Sequence, residues 1–224
     1  MTYIDHIYAC MVAPVLVGML CAGRRLRPNF FFVLSGMTAC LLSAYINSFF
    51  AGVYGADVIT ATAEITPVVE EIIKLLPLLF YLLVFEPESR HAQVAVIVIA
   101  VSFATFENVC WLVENGAGQL DFLLLRGFST GAMHVVCGAL VAGGIAYVWK
   151  SAWLRVAGTI GLLGSAVTFH AMYNLLIGSK GTVRTVGYIM PIATALLGFT
   201  AIKLIRRSWE SWRNETAPET PDKL

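Results

Sequence analysis

The chain repeats apolar blocks of roughly 20 residues, the length that crosses about 30 Å of hydrocarbon as a helix, with short polar connections between them. Lipid offers the backbone no water, so such blocks must satisfy their own N–H and C=O groups as helices. The pattern predicts spans at about 4–23, 30–52, 66–84, 91–113, 122–148, 154–177 and 184–206. Apolar residues make up 58 % of the chain and charged ones 13 %, with a mean hydropathy of +0.76, above what a water-soluble core requires. The expected fold class is therefore all-α: a polytopic transmembrane helical bundle of about seven spans, integral to the cell membrane, with the lipid bilayer as its solvent. A net charge of +1 gives no basic excess for nucleic acid.

Charge placement orients the bundle. Residues 1–23 lack Lys and Arg, while Arg24, Arg25 and Arg27 follow at once, so the first span reads as retained, with the N-terminus outside. Arg24, Arg25, Arg27, Arg90, Lys150, Arg155, Lys203, Arg206, Arg207, Arg213 and Lys223 then fall on the cytoplasmic side, and only Lys180 and Arg184 outside. Residues 1–207 form one transmembrane domain, and 208–224 a polar cytoplasmic tail whose Pro218 and Pro221 suggest disorder. The five cysteines lie inside apolar blocks without metal-site spacing and read as packing residues, and His6 and His91 lie at span ends. Gly127, Gly131 and Gly138, and Gly161 with Ser165, recur at intervals that suit close helix packing.

Ionisable groups at membrane depth cost several kcal/mol unless paired or hydrated, and mark functional sites. Span three carries Glu70, Glu71 and Lys74; span four Phe103, Glu107 and Asn108; span five Arg126 and His134; span six His170 and Asn174. At 1.5 Å per residue, Glu70, Glu107 and His170 each lie on the order of 10 Å below the outer surface, with His134 and Lys74 at roughly 15–18 Å. Helices running in alternate directions thus place polar groups in one layer. Residues four apart share a face, so Glu70 is expected to pair with Lys74, leaving Glu71 for another helix, and Asn174 to orient His170. Thr66-Pro67 reads as an N-cap and first helical position, which would set Glu70 and Glu71 near the helix's positive end, and Pro77 as a kink. A purely structural ion-pair network, Glu70 with Lys74 and Glu107 with Arg126, accounts for fewer groups than are present, because two histidines with three glutamates exceed charge balance. Carboxylates with imidazoles suit zinc and equally suit metal-free activation of water.

Glu70-Glu71-x-x-Lys74, Phe103-x-x-x-Glu107-Asn108, His134 before a glycine-rich stretch, and His170-x-x-x-Asn174, in order over about residues 64–177, resemble the motifs of the PrsW intramembrane proteases. That family is related to the type II CAAX prenyl endopeptidases and to the scaffold subunit of gamma-secretase. Asn174 stands where many PrsW sequences have aspartate, and Glu107 where the prenyl endopeptidases have histidine. The resemblance implies cleavage of a membrane-tethered, single-span substrate of the anti-sigma-factor kind near the outer face. It also implies that Glu70 and Glu71 are the essential carboxylates, that Glu107, His134 and His170 hold metal or water, and that Asn174 orients the site or steadies an oxyanion. Zinc on Glu107, His134 and His170, with a Glu70 or Glu71 carboxylate as base, is one version; a buried glutamate working with His170 is the other. Lys74, Arg126 and Asn108 are expected to have structural or charge-pairing roles. A proton- or cation-coupled transporter would need acidic groups at several depths, and a non-catalytic scaffold would bind a partner without turnover.

Overall fold

A computed structural model describes residues 3–85, 89–116, 118–149 and 151–216. Its helices are α1 Ile4–Cys21, α2 Arg27–Tyr54, α3 Val58–Thr60, α4 Thr66–Phe85, α5 Ser89–Asn115, α6 Leu120–Val148, α7 Ala152–Gly178 and α8 Thr182–Thr216, with a π-helical turn, Ala61–Ile65, between α3 and α4. The described residues contain no strand, and each long helix except α8 begins and ends within a few residues of its expected span. Among the described residues six helices are long and apolar enough to cross a membrane. The 20-residue α4 is not among them, and it carries Glu70, Glu71 and Lys74 within little more than one turn. The chain is an integral, multi-pass helical membrane protein.

Local chemistry sets several ends. Proline stands in the first turn of α2, where its missing N–H costs nothing, and Gly55 closes that helix at φ 59°, in the left-handed region. Asp57 caps α3 by accepting the Thr60 N–H at 2.7 Å, and this bonding holds its carboxyl below the usual range. Ser151 caps α7 in the same way, from the Leu154 N–H.

The start of α4 differs from the expectation. Thr66 is not an N-cap: it has helical dihedrals, and its N–H donates back to Ala61 O, so α3, the π turn and α4 run on continuously from the Asp57 cap. The wider π turn lies just upstream of Pro67, whose ring would crowd the carbonyl four residues earlier in a regular helix. Glu70 and Glu71 therefore sit inside a continuous helix rather than at an open positive end. Pro77 also lies inside the unbroken α4. At the other end α8 continues to Thr216, past the expected start of a disordered tail, because residues 208–216 contain no glycine or proline. The remainder of that tail lies outside the described residues.

Helix α5 packs between α2 and α6, α6 also meets α7 and α8, and α4 closes the ring against α2, α5 and α7. The central face of α5, with Ala95, Ile99, Phe103 and Phe106, is fully buried, as are Met133, His134 and Cys137 of α6. Small residues permit this closeness at only one of the glycines expected in α6. A β-carbon on Gly138 would touch Val96 and Ala100 at 3.1 and 3.2 Å, but one on Gly127, Gly131 or Gly161 would meet nothing within 4 Å. Gly36 of α2 lies so close to Ser102 and to the α5 backbone at Ile99 and Phe103 that no β-carbon fits. Gly36→Ala is expected to destabilise the bundle by about 1–3 kcal/mol through overpacking, read as a fall in the thermal unfolding midpoint in detergent, whereas Gly161→Ala should leave that midpoint unchanged.

Candidate active site

Four helices bring their ionisable side chains to one place: Glu70, Glu71 and Lys74 from α4, Glu107 from α5, His134 from α6 and His170 from α7. Glu70, Glu71, Lys74, His134 and His170 are buried, and the Glu107 side chain is 30 % exposed. Isolated charges at such depth are costly, and the geometry answers with a chain of charge-assisted hydrogen bonds.

Lys74 is the hub. Its ammonium donates to Glu71 Oε1 at 2.6 Å and to His134 Nδ1 at 2.7 Å, and lies 4.7 Å from the centre of the Phe103 ring. An ammonium has no acceptor, so His134 Nδ1 must accept and its hydrogen resides on Nε2. That N–H donates to Glu107 Oε2 at 2.7 Å. His170 Nδ1 donates to Glu71 Oε1 at 2.8 Å, which leaves Nε2 with a lone pair. Nε2 lies 3.9 Å from Glu70 Oε2, a buried oxygen with no hydrogen-bond partner among the described residues. The two imidazoles meet edge to face, 5.2 Å between centres.

This arrangement corrects the expected pairing of Glu70 with Lys74. Glu71, three residues before Lys74, makes the ion pair, and its Oε1 also accepts from His170, so Glu71 ties α4 to α7. Glu70 is the carboxylate left unbonded. Asn174 does not orient His170: its amide donates to Thr62 O at 2.9 Å and anchors the π turn to α7. Arg126 meets Glu107 at 3.7 Å, as expected, but also hydrogen-bonds the Asn108 side chain and stacks on Trp111 at 4.3 Å. Glu107's shortest contact is with His134.

Sequence reasoning passed over Thr130 and Tyr173, whose hydroxyls bond at 3.0 Å and join α6 to α7 beside the histidines. The spacing of Arg126, Thr130 and His134, one turn apart each, was the available signal for Thr130. It also passed over Ser43 and Asn47 on α2, whose Oγ and Oδ1 are buried without partners among the described residues. Their four-residue spacing in an apolar span was legible.

Whether a metal would fit can be judged from the donors. One donor atom each of Glu70, His134 and His170 lie within 4.8 Å of one another. This trio replaces Glu107 of the expected set with Glu70. Each histidine is held through one ring nitrogen by a carboxylate, His170 by Glu71 and His134 by Glu107. That is how metal-binding imidazoles are oriented and made more basic. The unpartnered Glu70 oxygen facing the free His170 nitrogen completes a donor set suited to zinc, with an open position. His134 is the constrained member of the trio, because its one lone pair, on Nδ1, accepts from Lys74, and a metal there would have to displace that ammonium. The same 3.9 Å gap is also one that a single water spans, and a cavity of about 30 Å³ lies on the other side of the network, lined by Glu71, Lys74, His134 and apolar neighbours but not by Glu70 or His170.

Among known families, one described as PrsW family intramembrane metalloprotease matches residues 26–202. No curated protein and no solved structure matches the chain.

Proposed function

This chain belongs to the PrsW family of intramembrane proteases, and from that premise we propose that it hydrolyses a peptide bond of a single-span, membrane-tethered protein of the anti-sigma-factor kind, close to the extracytoplasmic face, by activated water. The carrying observation is the facing pair of Glu70 Oε2 and His170 Nε2, 3.9 Å apart, the carboxylate oxygen unbonded, in an otherwise saturated network. A water between them lends its proton to one acceptor while the other holds it in place. Its oxygen bonds to the scissile carbonyl carbon, the C–N bond breaks, and the proton passes to the departing amine nitrogen.

The other residues keep this pair in order. Glu71 fixes the His170 tautomer by accepting from Nδ1, and Lys74 holds Glu71 in turn. Glu107 does the same for His134. Asn174 anchors the π turn that leads into the carboxylates, and Arg126 and Asn108 brace Glu107 from the outer end of α5 and α6. A zinc ion, when bound, would be held by Glu70, His134 and His170 and would supply a Lewis acid for the water and the carbonyl oxygen. Without a metal Glu70 and His170 address the reacting water directly, and with one they would hold the ion instead, while Glu71 and Glu107 act through the histidines.

The burial of these charges in one layer favours a protease over a charge-relay transporter, whose acidic groups would lead to both faces. The test uses tagged single-span reporters with randomised juxtamembrane segments, co-expressed with the chain. Wild type is expected to release a shortened fragment, and uncut reporters throughout would end the protease reading. Elemental analysis of the purified protein should find zinc near one equivalent in wild type and little in His134→Ala and His170→Ala. Undiminished cleavage after stringent chelation, with no metal found, would instead select the metal-free carboxylate mechanism.

A further inference from the structure

The site is closed on most sides. Glu70, Glu71, Lys74, His134 and His170 are each less than a tenth exposed, and Glu107 alone of these partners remains partly open. A reactant therefore has to arrive past Glu107. On that side, between α5 and α6, lies a cleft of about 410 Å³ whose lining includes Asn108, Trp111, Leu124, Arg126, Gly127 and Phe128. Arg126 belongs to both places: it forms part of the cleft wall and stands 3.7 Å from Glu107. Leu124 and Phe128 are 52 % and 70 % exposed, and a β-carbon on Gly127 or Gly131, one turn apart, would touch nothing. Gly127 in the cleft lining, with nothing within 4 Å of its β-carbon position among the described residues, leaves room for a foreign backbone to come close.

We propose that the α5–α6 cleft receives the unwound stretch of the membrane-anchored substrate that carries the bond to be cut, and passes it beneath Arg126 to Glu107 and the water-activating pair. The inference rests on the protease reading. The occupant is a short extended stretch, because a helix is about 10–12 Å across with its side chains, and a volume near the low end of ligand pockets holds only a few residues. The apolar walls suit a chain leaving lipid, and the polar inner end, Asn108 and Arg126, offers hydrogen-bonding groups to peptide carbonyls freed by unwinding.

The test places a benzoyl-phenylalanine photocrosslinker at Leu124 or Phe128, and for comparison at Leu197 or Phe199 on the exposed flank of α8, in full-length Glu70→Gln protein. Each is irradiated with a reporter that wild type cuts. Reporter adducts are expected from the cleft positions and not from α8. Adducts only with lipid, only with a second copy of this chain, or equally from α8, would overturn the assignment. Gly127→Trp should raise the reporter KM about tenfold with kcat changed less than about twofold, while Gly161→Trp, outside the cleft and likewise with nothing within 4 Å of its β-carbon position, stays at wild-type values. An unchanged KM in Gly127→Trp would likewise defeat the cleft. Failure of wild type to cut any reporter defeats the protease reading and this inference with it; normal cutting without cleft adducts defeats the cleft alone.

Discussion

Glu70→Gln is expected to abolish reporter cleavage, by about 10²- to 10⁴-fold or more, while leaving the bundle as stable as wild type or more so. The amide keeps the shape of the side chain and removes what the proposed chemistry needs, a carboxylate oxygen that can accept a proton or bind a metal. Stability is spared because Glu70 Oε2 has no hydrogen-bond partner among the described residues, so neutralising it breaks no bond and relieves the cost of a desolvated charge. The check is fragment release beside a thermal unfolding curve of the same preparation. Undiminished cleavage would remove Glu70 from the mechanism. Loss of activity together with loss of fold would show that its role is structural.

The adjacent residue should behave differently. Glu71→Gln is expected to lose activity and also about 3–5 kcal/mol of stability, because it leaves the Lys74 ammonium buried without its 2.6 Å partner. It also weakens the tie from α4 to α7 through His170. Glu71→Gln combined with Lys74→Met should recover most of the stability, since a buried pair replaced by neutral groups costs far less than a buried pair broken. The double variant remains inactive, because His170 has lost the carboxylate that fixes its tautomer. A double-mutant cycle on the unfolding free energies measures the coupling, and additive effects would mean that the Glu71–Lys74 pair does not hold the bundle together. The two neighbouring glutamates are thus expected to separate function from stability: Glu70→Gln should cost activity alone, and Glu71→Gln activity and stability alike.

A purely structural ion-pair network would predict the reverse for Glu70, since every carboxylate in such a network has a partner. The protein instead pairs Glu71 and Glu107 thoroughly and leaves one carboxylate oxygen facing one imidazole nitrogen. Unsatisfied buried polar atoms are uncommon and call for an explanation, and a hydrolytic water or a metal at this spot supplies one.

The amino-acid sequence by itself determined the helices, the approximate limits of all but α8, and that Glu70, Glu107 and His170 belong to one layer of the bundle, because block length and helical rise are one-dimensional quantities that lipid enforces on the backbone. It also determined which helices carry the chemistry, since charged groups in apolar spans are visible without any fold. The partners were settled only in three dimensions. Residues three and four apart are both neighbours on a helix, so the choice between Glu70 and Glu71 as the partner of Lys74 rested with His170 on another helix. Asn174 could not be read as an anchor because Thr62 O becomes an acceptor only where the chain widens into a π turn. Of the glycines expected in α6 only Gly138 is packed, and Gly36 on α2 is packed more tightly still, because spacing along one helix does not say which face meets a neighbour.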